Sequence, residues 1–185
     1  SISNHPDNFY HKPRLDMDQF LQASASSKGN LVSFSGHLGS VLAGSVLDNP
    51  NWRVDGEKKA KELEGVFGKG NFFIEIQLID SEINHQAKEV AEKLREIANI
   101  TGIPKVATPD AHYCRREDAN DQRVLLCTAL RKSVSQIQND IKKGVSHSLK
   151  TFFESNNYHI PSYEDMKRFH TDDELDNTVA ISSAC

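Results

Sequence analysis

The chain has 185 residues, a formal net charge of −4 and a pI near 6.0. That length buries a real core without disulfides or a structural metal, and the acidic balance excludes a basic coat for wrapping nucleic acid while leaving room for a local phosphate-reading cluster. With 37% apolar and 26% charged residues the composition is that of an ordinary, slightly polar soluble domain. Cys114, Cys127 and Cys185 lie far apart with no C-x-x-C pair, which points to reduced thiols and a cytoplasmic setting. No window approaches the roughly 20 apolar residues of a membrane span. The opening SISNHPDNFYHKPRLD has no apolar stretch of the kind a signal peptide needs, so no membrane partner is expected.

In chain order, residues 31–35 (LVSFS) alternate apolar and small polar side chains and read as a strand ending at Gly36. Residues 38–47 predict a short helix with Leu38, Val41, Leu42 and Val46 on one face, broken by DNPNW at 48–52. A Lys/Glu-rich helix over 56–67 turns Ala60, Leu63 and Phe67 inward. Residues 72–78 (FFIEIQL) form the strongest predicted strand, with Phe72, Ile74, Ile76 and Leu78 on one face and Phe73, Glu75 and Gln77 on the other. A long helix over 82–101 follows, stopped by Gly102 and Pro104, and then a short strand at 105–108. Residues 31–110 therefore read strand, helix, helix, strand, helix, strand, the pattern of a parallel α/β fold. After Glu117 the predicted elements are helical, at 117–130, 134–142 and 172–184, with 143–161 irregular. A boundary near residue 131 separates an α/β part (1–130) from a helical connector (131–185).

Candidate chemistry gathers at strand ends, where parallel α/β folds build their sites. Asp110 and His112 follow the last strand in VATPDAHY, a spacing that suits a divalent ion such as zinc or manganese and suits equally a turn in which Asp caps the next helix. His37 stands in the same relation to the first strand; its alternative is a plain hydrogen-bonding role at a helix start. Glu75 faces either a polar site or solvent. Tyr10, Lys12 and Arg14 make a compact basic-aromatic cluster that either holds a phosphate or is a surface pair beside Pro13.

Several segments, taken together, resemble one family. NFYHKPRLD at 8–16, FSGHLGS at 34–40, GNFFIEIQ at 70–77 and VATPDAHYCRREDANDQRVLLC at 106–127 are similar to segments of the PHP (polymerase and histidinol phosphatase) domain of bacterial-type DNA polymerase III alpha subunits. YHIPSYEDM at 158–166 and NTVAIS at 177–182 resemble the connector that leads toward the polymerase palm. The matches keep the family's order over nearly the whole chain, and VATPDAHYCRREDANDQRVLLC is the most specific.

The resemblance implies part of a distorted (β/α)7 barrel with up to three divalent ions, zinc or manganese, at the strand ends. Asp110 and His112 look like the family's last metal pair, and His37 occupies a place where alpha subunits often have Cys. The family's earlier H-x-H ligands and its palm, fingers and thumb are expected outside this sequence, so the chain reads as the back half of a PHP domain plus connector. The implied parent is a replicative DNA polymerase that acts on DNA and deoxynucleoside triphosphates, with magnesium for synthesis in other domains. The implied task of the PHP module is phosphoester hydrolysis or 3′–5′ proofreading. Two rivals stand beside it: a non-catalytic scaffold that stabilises the polymerase or docks a proofreading subunit, and a free-standing PHP phosphatase.

Overall fold

A computed structural model describes residues 9–10, 12–13, 16–27, 30–78, 84–145 and 149–185. The elements, in order, are strands β1 (Phe9–Tyr10) and β2 (Lys12–Pro13), helix α1 (Met17–Ser26), strand β3 (Ser33–Phe34), helices α2 (Val41–Val46) and α3 (Trp52–Phe67), and strand β4 (Phe72–Gln77). Then come helix α4 (His85–Thr101), strand β5 (Lys105–Thr108), a 3-10 turn (Arg116–Asp118) and helices α5 (Ala119–Ala129), α6 (Val134–Lys142), α7 (Lys150–Glu154), α8 (Tyr163–Lys167) and α9 (Asp172–Ala184). The fold is mixed α/β, as expected, with a small parallel sheet of strand order β3-β4-β5 and a separate β1-β2 antiparallel pair among the described residues.

The chain forms two compact units: Ser1–Glu75 with Leu94–Lys105, and Ile76–Lys93 with Val106–Cys185. The boundary expected near residue 131 falls in the turn between α5 and α6, inside the second unit.

In the first unit, β3 pairs in parallel with β4 in the register Ser33↔Phe72 and Phe34↔Phe73. β3 is shorter than the predicted 31–35. Its apolar residues find no deep cover, for Leu31, Val32 and Phe34 are 45%, 38% and 41% exposed. β4 is the central strand, and its Phe72 and Ile74 are among the most deeply buried side chains. Helix α3 starts four residues earlier than predicted, at Trp52. Gly56 explains how α3 packs so closely: a Cβ there would lie 2.8 Å from Val46 Cγ1 and 3.0 Å from Ile97 Cδ1. Helix α1 was not expected, because its apolar side chains are few. It is started by a capping box in which Asp16 accepts the Gln19 N–H at 2.8 Å and the Gln19 side chain accepts the Asp16 N–H at 3.1 Å. It is then held on α3 by the Phe20–Phe67 edge contact, with ring centroids 5.6 Å apart, and by Ser24 Oγ donating to the Val66 carbonyl.

In the second unit, α6 and α9 run over the predicted spans 134–142 and 172–184. Ile137 and Cys127 are buried there, 0% and 2% exposed. Residues 143–161, expected to be irregular, contain the single-turn helix α7, and α8 follows with its own capping box between Ser162 and Asp165. At the start of α9, His170 and Glu174 form a fully buried pair, with Nδ1 3.0 Å from Oε2. No helix among the described residues is long and apolar enough to cross a membrane.

Candidate functional site: the Asp-x-His corner after β5

The parallel strand β5 ends at Thr108, and Pro109 prevents any helical continuation, so the chain must turn at Asp110. It does so with Asp110 at φ +38°, a left-handed conformation that side-chain-bearing residues seldom take and that Asp tolerates better than most. The turn brings the His112 ring back over the Asp110 main chain. His112 Nδ1 lies 2.7 Å from the Asp110 carbonyl oxygen and 3.8 Å from its carboxylate Oδ1. A carbonyl oxygen only accepts, so Nδ1 carries the proton and donates; in the neutral ring the lone pair is then on Nε2. Metal-binding histidines use this arrangement, one nitrogen tied to a carbonyl and the other presented outward. The helical turn that follows is capped by Asp118, whose carboxylate accepts the Arg115 N–H at 2.9 Å.

The corner is stitched to a later segment. Tyr158 O accepts the His112 N–H at 2.7 Å and the Tyr113 N–H at 3.2 Å, Tyr113 O accepts the Ile160 N–H at 3.1 Å, and Tyr113 Oη accepts the Tyr158 N–H at 3.2 Å. Two aromatic rings pack together against one side of His112: Phe152 at 4.9 Å and Tyr158 at 5.6 Å between centroids, both edge-on, and 4.8 Å from each other. Beside the corner, Pro109, Ile160, Tyr163, Met166, Leu175 and Val179 line an apolar groove of about 310 Å³.

In the first unit, His37 follows β3 in the loop Gly36-His37-Leu38-Gly39-Ser40. Its Nδ1 accepts the Gly39 N–H at 2.7 Å, so in the neutral ring the proton is on Nε2. A Cβ at Gly39 would meet His37 Cε1 at 2.7 Å, so any larger residue there displaces the His37 ring. Glu75 resolves its two sequence readings in a third way. Its Oε2 accepts the Gly36 N–H at 3.0 Å, and its own N–H donates to Ser35 Oγ at 2.9 Å, so it braces the turn that carries His37. The Lys12 backbone pairs with Tyr10 in the β1-β2 ladder, while the Lys12 side chain and all of Arg14 lie outside the described residues.

The donor set fits a divalent ion unevenly. Asp110 and His112 supply two donors at one corner, a carboxylate 3.8 Å from Nδ1 and, in the neutral ring, the Nε2 lone pair. His37 does not fit as folded, because the nitrogen able to coordinate is already accepting a main-chain N–H. Among the described residues no group of three His, Cys, Asp or Glu side chains gathers as a metal ion needs. Sequence reasoning missed Phe152, Tyr158 and Arg123, which act on the corner from up to 48 residues away; the aromatic spacing in TFFESNNYHIPSY was the available signal.

The fold is a mixed α/β segment with an Asp-x-His corner at a strand exit, and comparison with known chains says which proteins it resembles. The chain is homologous over nearly its whole length to one stretch of the DNA polymerase III alpha subunits. It is 32% identical over 178 residues to the alpha subunit of Treponema pallidum, covering 95% of this chain and 14% of that protein. It is 30% identical over 182 residues to that of Borreliella burgdorferi (96% and 14%) and 31% identical over 186 residues to that of Thermus aquaticus (96% and 13%). The chain thus spans about one seventh of the length of the curated relatives it matches. No family model matches it.

Proposed function

We propose that the chain is part of the alpha subunit of a replicative DNA polymerase, the subunit that extends primers on a DNA template from deoxynucleoside triphosphates. The observation that carries this is the continuous similarity to alpha subunits across 95% of the chain. Within that subunit the segment is the back half of a PHP module and its connector. The exposed apolar residues Leu31 and Val32, just before the edge strand β3, and Phe34 within it support this, since an edge strand of a complete sheet is normally blunted or covered.

In this module Asp110 and His112 are the residues that would hold a divalent ion, zinc or manganese. When bound, such an ion supplies an acidified water for attack on a phosphoester. The chain's own part is to hold the His112 proton on Nδ1 against the Asp110 carbonyl and to keep the carboxylate at the same corner. A proofreading or phosphoesterase activity would belong to the assembled module.

The second reading, a PHP module that serves as a scaffold for the polymerase or for a proofreading subunit, is favoured by a specific observation: the coordinating nitrogen of His37 is spent on Gly39. Elemental analysis of the purified full-length alpha subunit, with exonuclease and primer-extension assays before and after chelation, decides between them. Bound zinc or manganese and a chelator-sensitive exonuclease are expected. Primer extension with no metal at this module establishes the scaffold, and absence of primer extension overturns the polymerase assignment.

A further inference from the structure

We propose that the turn between α5 and α6, together with the outer face of α6, is a contact surface for the phosphate backbone of duplex DNA, carried by Arg131, Lys142 and Lys143 with Lys132 beside them. The proposal rests on the reading of the chain as part of a DNA polymerase and adds to it a place where this segment meets the nucleic acid. It is separate from the Asp-x-His corner.

The chain as a whole is acidic, with 22 Lys and Arg against 26 Asp and Glu, yet residues 128–145 hold four basic side chains and one acidic. That one carboxylate is already compensated, since Lys132 Nζ lies 3.2 Å from Asp140 Oδ2. Lys143 follows Asp140 by three residues, the spacing that puts two side chains on one helix face. Among the described residues Arg131, Lys142 and Lys143 pair with no carboxylate, and all three are exposed. Around them α6 turns Ser135, Gln136, Gln138 and Asn139 to solvent, uncharged groups of the kind that join Lys and Arg in contacts to phosphate. A protein partner would be expected to find an aromatic anchor, and residues 128–145 contain no aromatic side chain.

The turn supplies a second, independent observation. At the end of α5 the Arg131 N–H donates to the Thr128 carbonyl and the Lys132 N–H to the Cys127 carbonyl, both at 3.0 Å. This pair of bonds is the Schellman motif, whose left-handed residue is usually glycine. Here it is Arg131, at φ +54°, which carries a steric cost that glycine avoids. The turn itself gains nothing from the side chain, so what the arginine adds is a guanidinium on a fixed backbone corner. Outliers of this kind concentrate at functional positions. The helix that follows is firmly set: Ile137 is fully buried, the Gln136 N–H donates to Ser133 Oγ at 3.2 Å, and the Ser133 N–H donates to Gln136 Oε1 at 2.7 Å. Its nine residues span about 13 Å. Phosphates on one strand recur about every 3.4 Å of duplex axis, so Arg131 at one end of α6 and Lys142 and Lys143 at the other can each meet a different phosphate.

The test uses the full-length alpha subunit and a blunt-ended DNA duplex, with affinity measured from about 50 to 200 mM salt. Each phosphate contact contributes about −0.9 to the slope of log K against log salt, so the triple variant Arg131→Gln, Lys142→Gln, Lys143→Gln is expected to flatten that slope by about 2.7. A control that removes the same charge from exposed positions elsewhere, Lys58→Gln, Lys69→Gln, Lys88→Gln, is expected to keep the wild-type slope. An unchanged slope in the first variant overturns the proposal, and so does an equal change in both, which would mean that net charge alone is at work. Arg131→Gly separates binding from structure. Glycine suits the left-handed position, so hydrogen exchange at the Lys132 amide should not accelerate, while the slope flattens by about 0.9. Arg131→Lys, which keeps the charge, should restore it. A full wild-type slope in Arg131→Gly overturns the assignment of Arg131. Primer extension is measured on the same proteins: a slope difference without extension upholds the surface and overturns the polymerase reading, and extension without a slope difference does the reverse.

Discussion

The Glu75 carboxylate accepts the Gly36 N–H at 3.0 Å across 39 residues of sequence, tying the middle strand of the sheet to the turn that carries His37. Gly36 itself sits at φ +87°, a conformation open to glycine at little cost, so the amide is aimed at β4 by a backbone state that other residues resist.

Charge-assisted hydrogen bonds of this kind contribute more than neutral ones, about 1.5–3 kcal/mol before discounting for exposure. Glu75 is only half-buried, so Glu75→Gln is expected to cost about 1 kcal/mol, lowering Tm by about 2–4 °C in a chain of this size. Thermal unfolding of the two proteins side by side checks it. An unchanged Tm would show that the bond adds nothing to stability.

Two glycines of α3 make a paired prediction. Gly65 has open space where a Cβ would go, so Gly65→Ala should gain about 0.5–1 kcal/mol from helix propensity and reduced freedom of the unfolded chain. Gly56→Ala gains the same propensity but drives a methyl against Val46 and Ile97. Overpacking of that sort costs about 1–3 kcal/mol, so the net effect should be destabilising. Denaturant melts should therefore move in opposite directions, and equal shifts would contradict the close packing of α3 at Gly56.

His170 and Glu174 are both fully buried, and the Glu174 carboxylate also accepts the Thr171 N–H at 3.3 Å at the start of α9. Glu174→Ala strips the partner from a buried imidazole and removes the helix cap together. Leaving a buried polar group without its partner costs about 1–3 kcal/mol, and loss of the helix cap adds about 1 kcal/mol. Hydrogen exchange along α9 should rise steeply in this variant, and protection at wild-type levels would sink the assignment.

The Asp165 carboxylate accepts from Ser162 through both the hydroxyl, at 2.8 Å, and the N–H, at 3.1 Å, and these bonds hold its pKa below the usual carboxylate range. The depressed value fixes the sign. The stabilisation of the α8 cap is fully present above the unfolded carboxyl value of about 3.9 and is lost as pH falls through the lower folded value. A carboxyl titration by NMR should place the Asp165 midpoint below 3.8. A midpoint at or above that value would remove the cap bonds as its cause.

The thiols should separate cleanly. Cys114 and Cys185 are exposed, whereas Cys127 is buried and its thiol is pushed up by that burial. Thiolate is the reactive form, so alkylation of the native chain should stop at two groups, with the third reacting only on unfolding. Rapid labelling of all three would show that α5 does not pack as described.

Legibility in the sequence followed the strength of the local signal. The spans of α6, α9 and β5 are evident because caps, Gly102 or a period coincide with the observed ends. α1 was not, since its capping box Asp16–Gln19 precedes a segment whose helix is secured by Phe67 and Val66, distant in sequence. The predicted strand 31–35 overreached because periodicity shows which residues can pair and not whether a neighbour exists to pair with. At the candidate site, Asp110 and His112 are readable as a spacing after a strand. The direction of a ring, the spending of the His37 nitrogen on Gly39 and the brace made by Glu75 are three-dimensional facts that spacing does not encode.

The main-chain bonds between Tyr113 and Tyr158 have a consequence for how this region tolerates change. The chain leaves the corner at Tyr113, builds the 3-10 turn and helices α5, α6 and α7, and returns to the same place at Tyr158. Those helices form an excursion with its two ends pinned together. Lengthening such an excursion is thermodynamically mild, since each doubling of a flexible loop costs only about 0.6 kcal/mol. Insertions in the α5–α6 turn or beyond α6 are therefore the changes this architecture absorbs most readily, whereas a single residue added between Asp110 and Tyr113, or between Tyr158 and Ile160, shifts the register of the seam. A relative that differs greatly in size in this region can still present the same Asp-x-His corner.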